Sequence, residues 1–94
     1  MAGPAVVHNV NGHQFEIPND DGRVILRYVQ RGSVLDLLHT EVAEQFEGRG
    51  YASALARAAL DYARANNLHV IPTCPFIASY MARHHEYDDL RAPA

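Results

Sequence analysis

Short runs with the two-residue period of strands, separated by turns, occupy the chain up to Val42, and after that the apolar spacing widens to that of a helix. Two short alternating runs, Val6–Asn9 and His13–Ile17, flank Asn11-Gly12. An Asn-Gly pair between strand-like runs predicts a two-residue hairpin. Pro18–Gly22 forms the next turn. Val24, Leu26 and Tyr28 then alternate with Ile25, Arg27 and Val29, the period of a strand over Arg23–Gln30. Arg31-Gly32-Ser33 turns the chain into a fourth strand, Val34–Val42. These segments predict a four-stranded antiparallel meander.

The pattern changes after the loop Gln45-Phe46-Glu47-Gly48-Arg49-Gly50. From Tyr51 to Asn67, Tyr51, Leu55, Ala59 and Tyr62 form one stripe, with Ala52, Ala56 and Ala63 beside it. Arg57, Asp61 and Arg64 fall on the opposite face as a charged surface. Small alanines let such a helix lie close to a sheet. Asn66-Asn67 closes it, Leu68–Cys74 predicts a fifth strand, and Pro75 opens a second helix over 75–85 at the first-turn position proline favours. Strand, loop, helix and strand from Val34 to Cys74 make a βαβ unit, which sets its two strands parallel. The fold class is α/β (α+β): a mixed, mostly antiparallel sheet of about five strands, with one long helix and a second C-terminal helix. The expected organisation is a single domain over 1–94, with disordered ends at 1–4 and 91–94.

The loop carries the first chemical signal. The first four amides of a helix lack internal partners, and the helix dipole adds partial positive charge there. Gly48 and Gly50 leave room for an anion to approach those amides, and Arg49 adds a cation. A phosphate or pyrophosphate suits that arrangement, although glycines also serve a plain tight turn. A Walker loop is excluded by the lack of any lysine, and "HVIPTCP" lacks the acidic residue of a dinucleotide fingerprint.

Composition narrows the classes further. The net charge of −3 gives no electrostatic reason to expect nucleic acid. No apolar run is long enough for a membrane helix, and no secretory signal is visible. The single cysteine, Cys74, rules out an internal disulfide and fits a reducing compartment, so a cytoplasmic protein is expected. The histidines show no metal-ligand spacing, and no metal is expected.

Gln45-x-x-Gly48-x-Gly50-Tyr51-Ala52 matches the signature of GCN5-related N-acetyltransferases. With "HTEV" before it and "VIPTCPF...Y...H.EY.DL" after it, the chain resembles the small Yjdj-type branch of that superfamily. The one departure is His85, where that branch usually has proline. The resemblance covers roughly residues 5 to 90 and implies a minimal fold of that superfamily with acetyl-coenzyme A as cofactor. It implies that Gln45, Gly48, Arg49, Gly50, Tyr51 and Ala52 bind the pyrophosphate. The strand from His39 to Ala43, with Val42 and Ala43, would line pantetheine.

Candidate chemistry follows at the ends of the two parallel strands, where open sheets gather ligands. His39 and Glu41 share a strand face, and either can act as general base toward an amine. Cys74, before Pro75, caps the second helix, where a thiol gains thiolate character; a lone cysteine is also a common small core residue. His39 can also partner Cys74. Tyr80 resembles the family tyrosine that protonates the departing thiolate, or it packs. The resulting expectation is acetyl transfer to an unidentified amine, such as one on a protein segment, either directly or through an acetylated Cys74. The alternative is a coenzyme A or acyl-coenzyme A binding module without catalysis, and a plain phosphate- or nucleotide-binding fold is a third option. The hairpin at Asn11-Gly12 leaves no room for the helices that shape an acceptor pocket in larger acetyltransferases. The acceptor side is therefore expected to be open, in a monomer or a homodimer.

Overall fold

The computed structural model describes residues 4–20 and 22–93. Five strands run β1 (Val7–Asn9), β2 (Gln14–Glu16), β3 (Val24–Arg31), β4 (Val34–Val42) and β5 (His69–Ile71), and they lie in that order across one sheet. The first four pair antiparallel and β4 pairs with β5 in parallel, as the meander and the crossover predict. The long helix α1 (Tyr51–Ala65) follows β4, and α2 (Pro75–Arg83) follows β5.

Turn chemistry differs from expectation at the first hairpin. Asn9 faces Gln14, so the loop spans Val10–His13 rather than Asn11-Gly12 alone. His13, not Gly12, takes the left-handed conformation, at φ 54°. The Asn9 side chain accepts the Gly12 amide at 2.9 Å and His13 N–H reaches Val10 O, which stabilises the longer loop. The two-residue turn lies instead between β3 and β4, where Arg31 faces Val34 and Gly32 sits at φ 59°.

Helix α1 ends earlier than Asn67. Asn67 adopts φ 57°, Leu68 N–H donates to Ala63 O and Asn67 N–H to Arg64 O. That pair of bonds satisfies the last carbonyls and turns the chain, with Leu68 packed inward. Strand β5 ends at Ile71 rather than Cys74, because Pro72 has no amide to continue the ladder. Helix α2 stops at Arg83 rather than at residue 85. A 3₁₀ segment over His85–Leu90, invisible in the sequence pattern, then buries Tyr87 and Leu90. It also covers the charged face of α1: Tyr87 Oη donates to Asp61 at 2.8 Å and Arg64 pairs with Asp89 at 3.0 Å.

All of this packs on one side of the sheet. Leu55, Ala56, Ala59, Leu60 and Ala63 of α1 meet Val24, Leu26, Tyr28, Leu35 and Leu37, joined by Ile77, Tyr80 and Met81 of α2. Leu55 and Leu60 are fully buried, each stabilising by roughly 1.5–3 kcal/mol. The disordered end expected over 91–94 is corrected in part, since Arg91 bridges Val70 and Ala92 N–H donates to Val70 O. Residues 1–3 and 94 of the expected ends, and Asp21 of the second turn, lie outside the described residues.

Candidate functional site

Strands β4 and β5 share three rungs, Val34–His69, Leu35–Val70 and Asp36–Ile71, and then part. Strand β4 runs on to Val42. The Cys74 amide donates to Leu37 O at 2.8 Å, just past the last rung. Among the described residues, β4 has no partner strand on its β5 side beyond that point. In an antiparallel ladder, alternate residues turn their polar groups to each side. Ala43 N–H bonds Arg23 O, so Glu41 and His39 face β3. The amides and carbonyls of Thr40 and Val42 therefore face the opening.

A bulge makes this arrangement. Tyr28 faces Leu37 while Arg27 faces His39, which leaves Leu38 as an extra residue on β4. Its effect is to shift the alternation, so Thr40 and Val42 lie on the helix side with Leu35 and Leu37. His39 and Glu41 lie on the outer face, with His39 Nε2 3.8 Å from Glu41 Oε1 and Arg23 Nε 3.6 Å from Glu41 Oε2.

The glycine loop stands at the far end of the opening. A 3₁₀ turn, Glu44–Phe46, leads to Gly48 and Gly50, both at φ 79°. A Cβ placed on either glycine meets nothing within 4 Å, so the loop faces free space. Gly50 is the N-cap of α1, and no side chain caps the helix. The unpaired amides of its first turn border a cavity of about 250 Å³ lined by Val42, Phe46, Gly48, Gly50, Ser53 and Phe76, among others. Those amides, the dipole and the free space suit a pyrophosphate, and the apolar walls suit the arm attached to it.

The sequence-derived candidates divide. Val42, Gly48, Gly50, Tyr51 and Ala52 line the cavity; Ala43, Gln45 and Arg49 do not. Gln45 lies against the β2–β3 turn: a Cβ on Gly22 would come within 3.2 Å of its Nε2 and 2.6 Å of the Ala43 Cβ. Arg49 sits 5.8 Å from the Phe46 ring centroid. Phe46, Glu47, Ser53 and Phe76 line the cavity as well, and for Phe76 the sequence signal is an aromatic directly after the Pro75 helix start. Phe46 also stacks on Tyr51 at 5.3 Å, which stiffens the loop.

Cys74 is buried, and its Sγ lies 3.4 Å from Thr40 Oγ1. The expected pairing with His39 is not what the fold makes, because adjacent strand residues point to opposite faces. Tyr80 is buried one turn deeper than Phe76 and stacks on His84 at 3.8 Å. Its hydroxyl lies beside Arg57, whose guanidinium it pushes upward in pKa, and not in the cavity lining.

Comparison with known proteins bears on the family and the fold. A family model described as GCN5-related N-acetyl-transferase matches residues 14–90. The mouse protein NATD1 is 37% identical over 85 residues, covering 86% of this chain and 77% of the relative. Its Xenopus tropicalis counterpart is 36% identical over 80 residues, 81% of this chain and 72% of the relative. The solution structure of a GCN5-like protein from Staphylococcus aureus superposes with a TM-score of 0.75, over 100% of this chain and 93% of that one. At 23% identity it speaks for the fold alone.

Proposed function

The chain belongs to the GCN5-related N-acetyltransferase family, and from that premise we propose that it binds acetyl-coenzyme A and transfers the acetyl group to an amine. The observation that supports this most is the parting of β4 and β5 after Asp36–Ile71, which opens toward the glycine loop. Acetyl-coenzyme A supplies an activated thioester when bound. The first-turn amides of α1 and the Gly48–Gly50 backbone would hold its pyrophosphate. The free polar groups of Thr40 and Val42 would pair with the amides of pantetheine, and Phe76 would pack against the arm.

Donor and acceptor would then meet at this opening from opposite faces of the sheet. The cavity lies on the helix side, whereas His39 and Glu41 stand on the outer face, which no helix covers among the described residues. An amine approaching from that face would meet Glu41 first, and Glu41 or His39 would take its proton as the new N–C bond forms, with the thioester C–S bond breaking and the coenzyme A thiolate leaving to be protonated by solvent. Arg23 Nε, 3.6 Å from Glu41 Oε2, places a cation beside that carboxylate on the outer face. An open outer face suits an acceptor presented on a protein segment.

A second reading, a coenzyme A binding module without turnover, is supported by Tyr80. Its hydroxyl is turned to Arg57, which leaves the thiolate without the acid that the family resemblance assigns. Isothermal titration with acetyl-coenzyme A, followed by turnover against a panel of amines, separates the readings. Binding with turnover that Glu41→Gln abolishes supports the enzyme. Binding with no turnover on any amine supports the module, and no binding overturns both.

A further inference from the structure

Asp36 is the buried charged side chain among the described residues, at 8% exposure. It stands on the outer face between Leu35 and Leu37, which fill the core. A buried carboxylate is unfavourable unless its oxygens are bonded. Both are: Oδ2 accepts from Arg31 Nη2 at 3.0 Å and Oδ1 accepts from Thr73 Oγ1. An apolar residue would avoid the desolvation cost altogether.

Its place in the sheet gives the carboxylate a use. Asp36 and Ile71 form the last parallel rung, and Thr73 lies two residues on, in the segment that leads to α2. Thr73 N–H donates to Ile71 O at 3.0 Å and Cys74 N–H to Leu37 O at 2.8 Å, so this segment bends at the mouth of the opening. Asp36 and Thr73 tie that bend to β4 on the outer side, while Thr40 and Cys74 meet on the inner side.

We infer that Asp36, acting through Thr73, sets the width of the β4–β5 opening and with it the fit of the acyl-thioester arm. Asp36 is a positioning residue: it touches neither the cavity nor the loop. The inference rests on the reading of this opening as the pantetheine channel. It separates two parts of one ligand, because the loop amides that hold phosphate stand at the other end of β4 and do not depend on Asp36.

The test compares Thr73→Val and Thr73→Ala with Thr73→Ser in the full chain, at an exposed position, with circular dichroism confirming that each variant is folded. The first two should weaken acetyl-coenzyme A by about tenfold while adenosine 3′,5′-bisphosphate changes by less than about twofold, and serine should restore the native value. Equal losses for both ligands, or no loss, would overturn the inference. The rate of Cys74 alkylation by iodoacetamide needs no bound ligand. Valine and alanine should raise it by about tenfold and serine should not, since the tied bend limits local opening. An unchanged rate would overturn the inference as well. If the native protein binds no acetyl-coenzyme A, the functional reading fails and the alkylation series alone decides the role of Asp36.

Discussion

The Thr40 hydroxyl and the Cys74 thiol lie 3.4 Å apart, across the point where β4 and β5 separate. The partner given to the sulfur is a neutral hydroxyl, while His39, one residue along, points to the other face. A thiol in that setting lacks the base that covalent catalysis needs. Incubation with acetyl-coenzyme A should therefore leave the intact mass of the protein unchanged. A mass gain of one acetyl group mapped to Cys74 would establish the covalent route instead.

Tyr80→Phe tests the other candidate for proton transfer. The hydroxyl is beside Arg57 and the ring is stacked on His84. Removing it should change turnover by less than about threefold, whereas loss of a general acid costs roughly 10²–10⁴. A fall of that larger size, with the fold intact by circular dichroism, would return Tyr80 to the catalytic set.

Sequence pattern revealed the strands well, because alternation at period two survives wherever one face is buried. Val24, Leu26 and Tyr28 show this plainly. The bulge left only the adjacent pair Leu37-Leu38, two apolar residues where alternation allows one, and such a pair is common outside bulges. It nevertheless decides which face carries His39. The helical 3₁₀ segment was hidden because "HEYDDL" is mostly polar and its two anchors, Tyr87 and Leu90, are too few to show a period. Motif position groups Gln45 with the loop glycines, and its side chain lies against Gly22. Spacing along a chain does not report the direction of a side chain in a loop.

Gly50→Ala separates the backbone role of the loop from its space. At φ 79° an L-residue is strained, by about 1–2 kcal/mol. The added methyl also enters the space in front of the α1 amides. Urea denaturation should show a loss of that size, and titration should show coenzyme A weakened by more than the stability change explains. A Gly50→Ala variant with native affinity would place the phosphate elsewhere.

His8 predicts an acid-sensitive fold. Its ring stacks on Phe15 at 4.2 Å, accepts or donates at Tyr28 Oη across 2.7 Å, and burial lowers its pKa below 6.5. Between the folded and unfolded pKa values the unfolded chain binds more protons. Stability is then complete above about pH 6.5 and falls as the pH drops through that value toward the lower folded pKa. The melting temperature should decline from pH 7.5 to 5.5, and His8→Phe should flatten that decline. An identical slope in the variant would assign the sensitivity to other groups.

The pairing of Arg91 and Ala92 with Val70 also bears on how copies of this chain meet. A strand with an uncovered flank is a template for another chain. Among the described residues, Arg91 and Ala92 occupy the β5 flank, and the edges left bare are β1, three residues long, and the short Thr40–Val42 stretch of β4 at the opening. A sheet closed in this way offers little for edge-to-edge growth, so the protein should stay dispersed at concentrations where a longer bare strand would seed fibres. Shortening the chain before Arg91 would bare β5 and remove that protection.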